Sequence, residues 1–167
     1  MNCPDCGAPL QLQDGRESAV CDYCRAIYRP DADDDGLRVF DQTAALVCPV
    51  CREPLHHATV DRQRILYCTA CRGMLIAMAA FVAALDSTRA QRRGSGRIAP
   101  PPDPRELERR LQCPQCGHAM DTHYYAGGGN VVIDDCSRCE LNWLDAGEFA
   151  AIASAPDHSV DEPASSE

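Results

Sequence analysis

The chain has 167 residues, 25 acidic and 16 basic, for a formal charge of −9. Only 5% of residues are aromatic, and 12 prolines and 11 glycines break up its short apolar stretches. This pattern excludes one large aromatic-rich core and points to small modules that need a staple. The acidity argues against a general nucleic-acid binder.

The 12 cysteines are the candidate staple, and all of them fall into Cys-x-x-Cys pairs. "MNCPDCGAPL" has no basic stretch followed by an apolar run, so a secretory leader is not expected. The longest apolar run, Met74 to Leu85, is too short to span a bilayer. The expected location is the cytoplasm, where paired cysteines favour metal over disulfides. Pairs reading "CPDC", "CPVC" and "CPQC" alternate with "CDYC", "CTAC" and "CSRC", which selects sequential pairing. The metal-ligand sets are then Cys3/Cys6/Cys21/Cys24, Cys48/Cys51/Cys68/Cys71 and Cys113/Cys116/Cys136/Cys139, with 14, 16 and 19 residues between half-sites. That spacing reads as three zinc ions per chain, a rubredoxin-like iron site needing a longer gap. Four thiolates leave zinc no open position for water, so no catalytic role is expected. Each such site carries −2, lowering the formal charge from −9 to −15. The histidines at 56, 57, 118, 123 and 158 are surplus. His118 follows the Cys116-Gly117 knuckle and is a candidate hydrogen-bond donor to that site, although the plainer reading is a surface histidine.

The expected fold class is small, metal-stabilised α+β: three ribbons, each a β-hairpin with paired knuckles, joined by short helices and without a single large core. Ribbon 1 spans 1–30, and its hairpin "LQLQDGRESAVC" turns at Asp14-Gly15. Residues 31–47 read as an acidic linker. Within it, Asp31, Asp33, Asp35 and Gly36 have the spacing of a calcium loop, but position 12 is Gln42 and no helix precedes, so calcium is not expected. Ribbon 2 spans 48–85, with "ATVDRQRILYC" as its hairpin. An Ala-rich helix is predicted from Met74 to about Arg93, with Leu75, Met78, Val82 and Leu85 in a stripe and Phe81 beside it. Residues 94–103 read as a flexible Pro/Gly linker. Segment 104–153 is expected to hold a short helix and ribbon 3. The helix is signalled by Asp103 as N-cap, Pro104 first and Glu106 closing the box. Tyr124-Tyr125 and Val131 to Ile133 flank the Gly-rich turn of the third hairpin. Residues 154–167 read as a disordered acidic tail.

"CPQCG…CSRCELNWLDAGEF" resembles the transcription-factor-IIB-type zinc-finger family of bacterial zinc ribbons, whose second knuckle leads into Trp-Leu-Asp-x-Gly-Glu. The resemblance covers Cys113 to about Ile152. It is weaker over 48–85, where "CTACRGMLIAMAAF" keeps the glycine and a phenylalanine in register but has Leu75-Ile76-Ala77 in place of Trp143-Leu144-Asp145. Residues 3–30 resemble a generic zinc ribbon. The resemblance implies fold and metal, and little about substrate or partner. From the residues themselves, Asp145 and Glu148 read as a capping box in preference to an acid–base pair, with Trp143 and Leu144 covering the sulfurs.

The expected function is non-enzymatic: a zinc-binding scaffold docking a protein partner, or a second copy, through the Met74–Leu85 helix. One alternative is a transcription-associated nucleic-acid binder acting through segment 89–110, where residues 86–112 carry 7 arginines against 4 acids. Another is a thiol-based redox or zinc-release switch. No membrane and no small-molecule substrate is expected.

Overall fold

The three predicted hairpins form, and the strand that follows the second and third of them decides the architecture. The computed structural model describes residues 2–12, 16–33, 36–91, 104–125 and 130–155. Ribbon 1 is a small antiparallel sheet of β1 (Leu10–Leu12), β2 (Ala19–Cys21) and β3 (Ile27–Tyr28). Everything else in strands joins one seven-stranded antiparallel sheet. Its members are β4 (Leu37–Val47), β5 (Pro54–Val60), β6 (Gln63–Tyr67), β7 (Met74–Ala77), β8 (Asp121–Tyr124), β9 (Val132–Cys136) and β10 (Leu141–Leu144), in the order β4-β5-β6-β7-β10-β9-β8.

The centre of this sheet is a pseudo-two-fold axis. From the second knuckle onward, ribbons 2 and 3 are related by 68 positions, Cys68 with Cys136 and Cys71 with Cys139. Leu75 and Trp143 are therefore equivalent, and they are also direct partners across the β7–β10 ladder. The two ribbons pair edge to edge as an internal dimer, each closing the open edge of the other. Their following helices obey the same symmetry. Helix α1 (Met78–Gln91) packs on α2 (Glu148–Ser154), and the equivalent rings of Phe81 and Phe149 meet edge-on with centroids 6.3 Å apart.

This arrangement corrects four expectations. First, ribbons 2 and 3 are not separate modules lacking a large core: Ile65, Tyr67, Ile76 and Phe81 share one buried cluster with Ile133, Leu144, Phe149 and Ile152. Second, residues 74–77 are not helical. The β-prone Leu75 and Ile76 gain two ladders in β7, one to β6 and one to β10, and the helix begins only at Met78. Arg92 and Arg93, the expected helix end, lie outside the described residues. Third, 31–47 is not a linker throughout. Leu37 and Phe40, three apart on β4, point to opposite faces, Leu37 into the main core and Phe40 into ribbon 1. Strand β4 thus anchors ribbon 1 to the large sheet. Arg38 reinforces the joint through Glu17 and the Pro30 carbonyl, and Arg64 does so through the Leu12 carbonyl. Fourth, the helix expected after residue 103 is a single 3₁₀ turn, Pro104–Glu108. The residues after it leave helical geometry to place Leu111 in the core beside Trp143. Asp103, the 94–103 linker and the tail beyond residue 155 lie outside the described residues.

Helices cover one face of the large sheet through Ile65, Met74 and Ile76. Their neighbours Leu66 and Leu75 point to the other face, where the second and third cysteine sets sit.

Candidate metal centres

Each knuckle is built the same way. The residue after the second cysteine is left-handed in all six: Gly7 (φ 75°), Arg25 (64°), Arg52 (66°), Arg72 (62°), Gly117 (72°) and Glu140 (53°). In five of them this residue's N–H returns to the carbonyl of the first cysteine, as from Gly7 to Cys3 (2.8 Å) and from Arg72 to Cys68 (2.8 Å). The first cysteine's own N–H bonds forward to the carbonyl five residues on, as from Cys48 to Glu53 (2.8 Å) and from Cys113 to His118 (2.8 Å). The turn aims backbone donors at sulfur: the N–H groups of Val50 and Cys51 each lie 3.4 Å from Cys48 Sγ, and that of Cys24 lies 3.5 Å from Cys21 Sγ. Donors pointed at sulfur stabilise thiolates. Left-handed geometry costs a residue other than glycine roughly 1–2 kcal/mol. Four of the six knuckles bear that cost, which the knuckle hydrogen bonds and any ion bound at the sulfurs would offset.

The structure brings together Cys3/Cys6/Cys21/Cys24, Cys48/Cys51/Cys68/Cys71 and Cys113/Cys116/Cys136/Cys139, each set with its sulfurs within 4.8 Å of one another. Individual separations are 3.5 Å for Cys3–Cys24 and Cys6–Cys21, 3.5 Å for Cys48–Cys71, 3.3 Å for Cys51–Cys68 and 3.7 Å for Cys116–Cys136. A disulfide needs about 2.05 Å. A tetrahedral ion with metal–sulfur bonds of about 2.3 Å holds its sulfurs about 3.8 Å apart. The sets therefore fit a four-coordinate ion. Without one, thiols share protons: Cys116 is drawn down to about 6, first by the His118 backbone N–H, while Cys139, hydrogen-bonded to Cys116, is pushed up to about 12.

The second and third sets share a cover. Trp143 is fully buried in one cluster with Cys48, Cys68, Cys113 and Cys136, together with Leu55, Leu75, Leu111 and Met120. Its ring lies on the backbone of Gly73, where a Cβ would stand 2.2 Å from Trp143 Cζ2. The first set has a smaller surround: Leu10, Ala19 and Phe40.

The carboxylates after the third set are arranged differently from a full capping box. Glu148 reaches back to the Asp145 backbone N–H at 2.6 Å, which is half of the motif. The other half is missing, since the N-cap is Gly147, left-handed and without a side-chain bond. The Asp145 carboxylate instead accepts from Trp143 Nε1 at 3.0 Å and pairs with Arg109. Arg109 also pairs with Asp134, a fully buried carboxylate that accepts from Thr122 Oγ1 at 2.5 Å. The network Trp143–Asp145–Arg109–Asp134–Thr122 fixes the tryptophan's orientation over the sulfurs. Sequence reading missed Arg109 and Asp134. The one available signal was an acid at position 134 directly after the apolar Val131–Ile133 run.

Other candidates fall elsewhere. His118 Nδ1 lies 3.2 Å from the Cys116 carbonyl and Nε2 meets Arg138, and, after its backbone N–H, the His118 side chain is also among the groups that hold the Cys116 thiol below its usual range, in keeping with the expected donor role. Asp33 Oδ1 accepts from the Leu37 N–H at 2.8 Å in the turn entering β4, Asp31 is exposed, and Asp35 lies outside the described residues. His158 is also outside them. No helix among the described residues is long and apolar enough to cross a membrane.

With that geometry in place, the comparison with known families is informative for one segment. Residues 112–155 match the transcription factor zinc-finger family. The match spans the third cysteine set, strands β8 to β10, Trp143 and helix α2, and stops short of the other two sets. No curated protein and no solved structure matches the chain.

Proposed function

We propose that this chain is a non-enzymatic scaffold holding three structural zinc ions and docking a protein partner. The observation that carries the reading is the closure of every set: four cysteine sulfurs within 4.8 Å of one another leave no ligand position for water or substrate. The sulfur tetrahedron and the match of 112–155 to a zinc-finger family favour zinc over a hard cation.

We place the partner on the helix-free face of the large sheet. In the Met74–Leu85 segment, Leu75, Phe81 and Leu85 are buried internally by the two ribbons, which leaves Met78 half-buried and Val82 exposed. A cleft of about 270 Å³ opens on the helix-free face, lined by Leu46, Leu66, Leu75 and Leu141 with His57, Arg64 and Gln115 at its sides. Burial, followed by the charge of Arg64, holds His57 below its usual range, so the cleft presents a mainly apolar floor with the Arg64 cation at its edge. Such floors suit protein contacts. Affinity capture with the zinc-loaded chain tests the reading. One protein should co-purify in stoichiometric amount and be lost on Leu66→Ser/Leu141→Ser, with three zinc ions retained. A chain carrying three zinc ions that captures no protein refutes docking.

The nucleic-acid reading draws support from the family description and from Arg25 and Arg52, exposed at knuckle ends. The formal charge of −9, more negative with metal, opposes it. Titration against duplex and single-stranded DNA and RNA decides between the two. Tight binding that weakens steeply with salt favours the nucleic-acid reading.

A further inference from the structure

We propose that the Cys3/Cys6/Cys21/Cys24 set is an oxidant-reactive site: peroxide converts it to disulfides and expels its ion while the other two sets keep theirs. The inference rests on the metal reading of the three sets and adds that they are unequal.

Three independent features single out this set. Both of its outer cysteines, Cys6 and Cys24, are exposed, whereas the third set's outer pair, Cys116 and Cys139, is half-buried and the second set exposes Cys51 alone. Its cover, Leu10, Ala19 and Phe40, encloses the inner cysteines and leaves the outer pair open. Tyr23, inside the Cys21–Cys24 knuckle, is 84% exposed and shields nothing, while Trp143 is 0% exposed among the sulfurs of the other two sets. Its scaffold is also small. Closing a disulfide from 3.5 Å to about 2.05 Å requires backbone movement. Strands of three, three and two residues resist that less than a seven-stranded sheet does.

The sulfur pairs make the chemistry direct, since Cys3–Cys24 and Cys6–Cys21 each join a buried cysteine to an exposed one at 3.5 Å. The exposed Cys24 thiolate attacks hydrogen peroxide. An S–O bond forms, the O–O bond breaks, and the departing hydroxide takes a proton to become water, leaving a sulfenic acid. The Cys3 thiolate then attacks that sulfur: the S–S bond forms, the S–O bond breaks, and the departing hydroxide takes a proton from solvent to become a second water. Two thiolates have lost two electrons and one peroxide has gained them. A second peroxide oxidises Cys6 and Cys21 in the same way. An ion deprived of its thiolates leaves.

The test uses the full zinc-loaded chain. Hydrogen peroxide is added in one-equivalent steps. Native mass spectrometry counts bound ions, a chromogenic chelator reads released zinc, and peptide mapping locates the disulfides. The expected result is a shift from three ions to two by two equivalents, with disulfides confined to Cys3, Cys6, Cys21 and Cys24, reversed by dithiothreitol and added zinc. Loss of zinc first from either other set, or from all three at one dose, overturns the inference and leaves the metal reading intact. A chain that starts without three ions overturns both.

Discussion

Replacing Gly73 by alanine should destabilise the chain by several kcal/mol, although it adds one methyl group to a position whose backbone φ an alanine can adopt. An ideal Cβ at residue 73 would stand 2.2 Å from Trp143 Cζ2, 2.9 Å from Cη2 and 3.0 Å from Cε2. Ordinary carbon–carbon contacts lie near 3.5–4.0 Å, so ring and backbone must separate by more than about 1 Å. The ring has nowhere to go. It is fully buried, packed among the Cys48, Cys68, Cys113 and Cys136 side chains, and tied at Nε1 to Asp145. Overpacking typically costs 1–3 kcal/mol, and a ring pinned between two cysteine sets belongs at or above the top of that range. The assay is denaturant unfolding of the zinc-loaded chain followed by fluorescence, which reports on this site because Trp143 is the sole tryptophan. A double variant, Gly73→Ala with Trp143→Leu, separates the clash from a general backbone effect. Leucine is the residue at the equivalent position 75, and its smaller side chain should recover most of the loss beyond its own cost, giving a coupling above about 2 kcal/mol by circular dichroism. A Gly73→Ala unfolding free energy within about 0.5 kcal/mol of wild type, or additive double-variant energies, would refute the packing argument.

Three further outcomes follow from the same contacts. Asp145→Ala should cost about 2–4 kcal/mol, more than a lost cap, because it leaves the buried Trp143 N–H and one arm of Arg109 without a partner; zinc content by mass spectrometry should remain at three. Burial pushes Glu148 up to about 8, so the folded state holds a proton that the unfolded chain releases near pH 4.5. That contribution is fully present below pH 4.5 and is lost as pH rises towards 8. Glu148→Gln should therefore remove a decline on the order of 2 kcal/mol between pH 6.5 and 8.5, and an unchanged slope in pH-dependent unfolding would refute it. Asp61 and Arg62 form the two-residue β5–β6 turn with φ of 43° and 67°, a conformation Asn-Gly fills more readily, so Asp61→Asn/Arg62→Gly should raise the unfolding free energy by about 0.5–1 kcal/mol in a denaturant titration.

The parts of this molecule legible in its sequence are the local ones. Cysteine spacing specified three sulfur sets because a knuckle is a short-range object, with its hydrogen bonds spanning at most five residues. Glycine marked only Gly7 and Gly117 among the six left-handed positions; at Arg25, Arg52, Arg72 and Glu140 the need to wrap the chain round the sulfurs overrides residue preference. The misread parts depend on distant partners. Met74–Ala77 borders an Ala-rich helix and carries no turn signal, so only its ladders to β6 and to the distant β10 make it a strand. Strand β4 was hidden because Leu37 and Phe40 serve two different cores, which breaks the simple alternation expected of a half-buried strand. Asp145 had the right spacing for a cap, but the nearby Arg109 and Trp143 outcompete a helix terminus for its oxygens.

The pseudo-two-fold pairing of ribbons 2 and 3 also explains why their second knuckles lead into different residues. On a symmetry axis the two equivalent positions face each other, so one volume must be shared by both. Two tryptophans at 75 and 143 would collide across the ladder, and two leucines would leave the space between the cysteine sets underfilled. Trp143 opposite Leu75 fills it once, and Gly73, equivalent to the half-buried Leu141, gives way to let the ring lie flat. The hydrogen-bond acceptor follows the ring. Asp145 accompanies Trp143, while its equivalent, Ala77, has no indole N–H to receive. Leu75 and Ala77 in the second ribbon, where the third has Trp143 and Asp145, therefore suit the pairing of the two halves. Ribbon 1 lacks such a partner for its sheet and presents Tyr23 and Ile27 to solvent, 84% and 69% exposed. The same asymmetry that buries two cysteine sets together leaves the first one open to reagents.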